Sequence, residues 1–176
     1  MKIPPKKKVN GRKKGNNYEN KIGSILRTWA LDKFAPNEDP KDWFCRAPLS
    51  GAWNRTHAPG EDLIVPKWFP FAIECKNRQK WSFPQLLKGE GPVIQWIKKI
   101  EATIEGPTLL IFTKNYDINW VMLRQEHYDQ YIGGPFPSNH ALLKVAPLEG
   151  GYFVLAPFGE LIKKWTTISR ARQEKG

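Results

Sequence analysis

Apolar positions first gather into a helical stripe. Ile22, Ile25, Leu26 and Trp29 line one face at helical spacing, with Asn16-Asn17 placed to cap its start and Pro36 beyond its fading end near Phe34. The period then shortens. Residues 43–48 (Trp-Phe-Cys-Arg-Ala-Pro) predict a first strand, 61–65 a second and 71–77 a third, with a breaker-rich loop from Leu49 to Gly60 between the first two. Pro92 suits the first turn of a helix over 92–104, whose apolar surface is Val93, Ile94, Trp96, Ile97 and Ile100, and Gly106-Pro107 ends it. Leu109–Phe112 and Trp120–Leu123 predict two more strands. Past Gln125 the pattern weakens to a strand at 152–156 and a short helix at 159–165. The order through residue 123 is α-β-β-β-α-β-β, an α/β arrangement with a mixed sheet.

In a strand, residues i and i+2 share a face. Within Phe71-Ala-Ile-Glu-Cys-Lys, one face therefore takes Phe71, Ile73 and Cys75, and the other takes Glu74 and Lys76. Arg78 and Lys80 continue that second face if the strand runs on. Asp62, twelve residues before Glu74, falls on the preceding short strand. Two carboxylates on neighbouring strands offer a hard, oxygen-rich site for Mg²⁺. A lysine beside them can orient or deprotonate a water, or neutralise charge on a phosphate. An acid-x-Lys triplet alone means little, since Glu19-Asn20-Lys21 and Asp39-Pro40-Lys41 have it too. The first of these lies on a helix, where i and i+2 diverge, and Pro40 breaks the second. Only Glu74-Cys75-Lys76 lies in an apolar strand behind another acid. The plain alternative is a surface Glu-Lys pair on a half-exposed strand.

Charge narrows the partner. Lys and Arg number 28 against 17 Asp and Glu, a formal +11, and such a field favours nucleic acid. No basic amphipathic helix, lipidation signal, signal peptide or long apolar run points to a membrane. Two cysteines without a CxxC pair argue against structural zinc or a disulfide framework and suit a reducing, intracellular setting. Residues 1–17 carry seven basic residues, Lys13 and Lys14 among them, and no acid. They are expected to be a flexible phosphate-binding arm, or simply a solvated terminus. Residues 18–176 then form one domain, with a core over 18–123 and an extension over 124–176.

Asp62 followed by Glu74-Cys75-Lys76, with a Glu19-bearing helix before them, resembles the PD-(D/E)xK nuclease superfamily. Tyr18-Glu19-Asn20-Lys21, Arg46-Ala-Pro-Leu-Ser-Gly51 and Ile73-Glu-Cys-Lys-Asn77 are most similar to its Holliday-junction resolvases of archaeal type. Two positions depart from the pattern: Glu61 stands where a proline usually precedes the acid, and Asn20 where an arginine often follows the helix glutamate. The resemblance implies a restriction-endonuclease-like α-β-β-β-α-β core. It further implies a homodimer that cuts four-way DNA junctions with Mg²⁺, for which Mn²⁺ can substitute. Asp62, Glu74 and Glu19 would form the metal environment, Lys76 would act at the phosphate, Ser50 would contact the scissile strand and Arg46 a phosphate. Glu19 as a local ion-pair partner, Ser50 as a turn residue and Arg46 as a surface charge remain open. His57 reads as a solvated loop histidine, Gln95 as part of a polar helix face, and Trp53 and Trp81 as core or base-stacking residues. A restriction-like or repair nuclease, and a non-catalytic DNA-binding protein of the same fold, are the competing readings.

Overall fold

The apolar stripe forms a helix, α1, over Gly11–Lys33. It starts about a turn and a half before Asn16-Asn17, so Lys13 and Lys14 lie in its opening turns rather than on an arm. Arg12, Lys13 and Lys14 are good helix formers, and extending a helix costs far less than nucleating one. The anchored stripe therefore carries the helix back through the asparagines. The computed structural model describes residues 11–33, 40–47, 61–114, 117–133, 143–148 and 151–173.

The two strands expected at 43–48 and 61–65 are reduced to one antiparallel bridge, Arg46↔Leu63. A 3-10 turn at Pro40–Asp42 precedes it, and Phe44 sits in the left-handed region at φ 53°. That turn prevents a regular strand. The third expected strand is present as β1, Ala72–Asn77. A short helix that the pattern missed, α2 over Phe83–Leu87, leads to α3 over Gly91–Glu101. Then come β2 (Thr108–Thr113), β3 (Trp120–Arg124) and α4 (Gln125–Tyr131). β4 (Leu143–Leu148), β5 (Gly151–Pro157) and α5 (Phe158–Gln173) follow.

The strands form one five-stranded sheet in the order β1-β2-β3-β5-β4. β1 and β2 are parallel, and the other pairings are antiparallel. The parallel pair needs a crossover, which α2 and α3 supply. β2 is buried along its whole length because it has a layer on each face. One layer joins Ile22, Leu26 and Trp29 of α1 to Ile73, Cys75, Ile111 and Val121, with Tyr128 of α4 and Leu161 and Trp165 of α5. The other joins Val93, Ile94, Ile97 and Ile100 of α3 to Leu110, Phe112, Met122, Phe153 and Leu155. Trp81 belongs to this second layer, 5% exposed, with ring centroids 5.1 Å from both Phe83 and Phe112. It is a core residue and presents no face for base stacking. No helix among the described residues is long and apolar enough to cross a membrane.

α1 meets the 43–46 turn through Gly23. A Cβ there would collide with the Phe44 carbonyl oxygen, whereas a Cβ at Gly15 would lie 3.7 Å from Glu19 Oε1. Two effects compete in an alanine substitution: helix propensity gains up to about 1 kcal/mol, and a backbone clash costs about 1–3 kcal/mol or more. Gly15→Ala is expected to be neutral or stabilising by up to about 1 kcal/mol. Gly23→Ala is expected to destabilise by about 2 kcal/mol or more. Urea denaturation followed by far-UV circular dichroism measures both. Equal effects at the two positions would show that α1 does not touch the turn.

Candidate active site

β1 is an edge strand, and its alternate backbone groups face away from β2. The Ala72 and Arg78 N–H groups donate toward the β2 side, to Pro107 O at 2.9 Å and Thr113 O at 3.2 Å. The backbones of Ile73 and Cys75 turn to the open edge, where Asp62 meets both. The Asp62 N–H donates to Ile73 O at 2.9 Å, and Asp62 Oδ2 accepts the Cys75 N–H at 2.7 Å. The Ala47 N–H donates to Asp62 O at 2.9 Å, tying the 43–47 segment to the same residue. Asp62 is thus held at three points beside Glu74.

Glu74 and Lys76 project together from the face opposite Ile73 and Cys75, as strand alternation predicts. Lys76 Nζ donates to Glu74 Oε1 and lies 3.9 Å from Asp62 Oδ2. Glu19 approaches from α1, one turn before Gly23, and accepts from Arg46 Nε at 2.5 Å. Asp62, Glu74 and Lys76 therefore stand together at one strand edge, and the Glu19–Arg46 pair stands near enough for the Asp62 charge to act on Glu19.

Electrostatics follow from that crowding. Burial, then the charge of Glu74, pushes Asp62 up from 3.8 to about 6. Burial and Asp62 likewise raise Glu19, against the opposing pull of Arg46 and Lys76. Burial pulls Lys76 down, but Glu74 and Asp62 outweigh it and hold the ammonium above its ordinary value. Lys76 is therefore a standing positive charge in the metal-free protein, suited to meeting an anion rather than to taking a proton. Burial pushes the Cys75 thiol well up, so Cys75 packs as a small hydrophobe.

The other expected site residues fall less centrally. β1 ends at Asn77, so Arg78 and Lys80 are exposed beyond it rather than on the Glu74 face. Gln95 is exposed on α3, in keeping with a polar helix face. Ser50, Trp53 and His57 lie outside the described residues. Glu61 is half-buried and Asp62 buried. The Glu19–Arg46 pair and the edge attachment of Asp62 were not legible beforehand; both depend on the turn at Phe44.

Among the described residues, no three His, Cys, Asp or Glu side chains converge as a preformed metal cluster. Asp62 and Glu74 alone still fit a hard divalent cation. Both are half-buried or buried oxygen donors whose mutual repulsion raises Asp62, and Mg²⁺ commonly takes one or two carboxylates, with water and phosphate completing its shell.

Residues 10–146 match a protein family described as phage putative PDDEXK endonuclease. Neither a curated protein nor a solved structure matches the chain.

The raised Asp62 has a consequence for metal-free stability. Its folded value lies above the unfolded one, so its contribution is fully present below about pH 4 and is lost as pH rises to about 6. The loss is at most about 3 kcal/mol. Asp62→Asn keeps an oxygen for the Cys75 N–H and removes the titration. In the presence of a chelator, the stability of the parent relative to Asp62→Asn is expected to fall between pH 4 and 6 and then level off. Thermal melts across that range test it, and a pH-independent difference would contradict a raised acid at this position.

Proposed function

Because the chain belongs to the phage putative PDDEXK endonuclease family, we propose that it is a divalent-cation-dependent DNA endonuclease with Asp62, Glu74 and Lys76 at its hydrolytic centre. The observation that carries this reading is the attachment of Asp62 to the edge of β1, beside the Glu74–Lys76 pair. Asp62 and Glu74 would hold Mg²⁺ or Mn²⁺, with Glu19 nearby as a third donor. A cation bound there supplies Lewis acidity toward a phosphoryl oxygen. Lys76 keeps its proton and offsets the negative charge that grows on the phosphate during attack. Arg46, with its side chain 26% exposed, meets a neighbouring phosphate, and Ser50 contacts the scissile strand.

The partner is DNA, in line with the formal charge of +11. Along α1, Arg12 stands seven residues before Glu19, within about 20° of it around the helix axis. Lys13 and Lys14 lie about 120–140° away. Arg12 therefore extends the Glu19 face outward, while Lys13 and Lys14 serve the general field, as do exposed Arg78 and Lys80. We extend the reading to branched DNA cut by a homodimer, since a two-fold axis relates two centres in the way symmetric nicking of a four-way junction needs. Its support is the resemblance of the segments around Glu19, Arg46 and Glu74 to junction resolvases.

Asp62→Asn, Glu74→Gln and Lys76→Ala are each expected to lower nicking of supercoiled DNA in Mg²⁺ by at least about a hundredfold with the fold retained. Near-parent activity in any one of them removes that residue from the centre, and in all three it removes the nuclease reading.

The substrate is tested separately with Glu74→Gln, which binds without cutting. It is expected to sediment as a dimer and to prefer a four-way junction over duplex of the same sequence by at least about tenfold in competition at roughly 0.15 M salt. Equal affinity, or a monomer, would favour a restriction-like or repair nuclease with the same centre.

A further inference from the structure

Glu19 lies close enough to Asp62 for the Asp62 charge to push the Glu19 carboxyl up, yet the Glu19 carboxylate is engaged by Arg46. Among the described residues no three acids converge as a cluster. The Arg46 side chain is 26% exposed and that of Glu19 11%, so solvent reaches the guanidinium side of the pair more readily than the carboxylate side. The Arg46 backbone is fixed by its bridge to Leu63 and by the Ala47 N–H on Asp62 O. Only the side chain is left to change partner.

We propose that Arg46 is a substrate-operated catch: it holds Glu19 out of the cation site until a DNA phosphate takes the guanidinium, and Glu19 then joins Asp62 and Glu74. The inference rests on the nuclease reading above and assigns Arg46 a positioning role that reading does not contain. A guanidinium binds carboxylate and phosphate through the same planar set of N–H donors, so a phosphodiester can replace Glu19 without loss of hydrogen bonds. The exchange removes the nearer of the two cations that offset Glu19 and leaves Lys76 alone among three acids, which raises the affinity for a divalent cation. DNA binding and cation binding are then positively coupled, and the coupling is reciprocal. Without DNA, the site takes up its cation weakly and stays idle.

The test is a double-mutant cycle read by calorimetric titration of Mn²⁺ into the full-length, DNA-free protein. Arg46→Gln is expected to bind Mn²⁺ at least about fivefold more tightly than the parent. In a Glu19→Gln background the same substitution is expected to change affinity less than about twofold, because no carboxylate is left to release. In parallel, a short duplex with cleavage-resistant phosphorothioates at every linkage is expected to tighten Mn²⁺ binding by the parent, and to do so less for Arg46→Gln. No gain on Arg46→Gln overturns the catch. So does an equal gain in both backgrounds, which would mark only the removal of a positive charge. If the parent shows no Mn²⁺ uptake that Asp62→Asn abolishes, the catch falls together with the nuclease reading, whereas loss of the catch alone leaves that reading standing.

Discussion

A strand at the margin of a sheet presents backbone groups that must be covered, paired or left to water. On β1 the cover is Asp62, which uses its own amide and its carboxylate to meet two successive edge residues. This one residue fixes three things together: where the acid sits relative to Glu74, how the 43–47 segment closes over the edge, and how far Lys76 stands from each carboxylate. The carboxylate in effect completes a hydrogen-bond ladder and also presents charge. Its geometry is therefore as firm as that of the sheet.

Concentrating charge at such an edge has a cost. Asp62 and Glu19 are both raised by burial and by neighbouring acids, and Lys76 and Arg46 only partly relieve them. A fold selected for stability alone would thin out these acids. Their crowding at one place, with a lysine held charged among them, marks a candidate functional site.

The sequence made one part of this visible. Alternation along 71–77 separates Ile73 and Cys75 from Glu74 and Lys76 wherever a strand forms, and it placed the pair on the right face. The helical stripe of α1 and the run at 109–112 were equally plain, because burial on one face leaves a periodic trace and burial on both leaves an unbroken apolar run. The path of 43–47 left no such trace. Phe44 adopts a backbone conformation that its residue type disfavours, and only the close passage of Gly23 beneath its carbonyl reveals why. Arg46 read as a phosphate contact or a surface charge, and its pairing with Glu19 stayed hidden because an ion pair spanning 27 residues has no local signature. Trp81 could be read as base-stacking or as core, and the packing of Phe83 and Phe112 around it decided for core. Past residue 125 the short helix α4 and the strand β4 carry too little periodicity to be distinguished from connecting chain.

The order β1-β2-β3-β5-β4 also governs when the molecule can become whole. β5 lies between β3 and β4 although it follows both in the chain, so the outer side of β3 stays open until residues 151–157 have been made. During synthesis, the strand bearing Glu74 and its parallel neighbour exist for a time on a sheet whose far half is missing. Pairings so distant in sequence form slowly, and an open β edge invites contact with other chains. The edge that carries Glu74 and Lys76 is the one farthest from that late closure, since β1 lies at the opposite end of the sheet from β4.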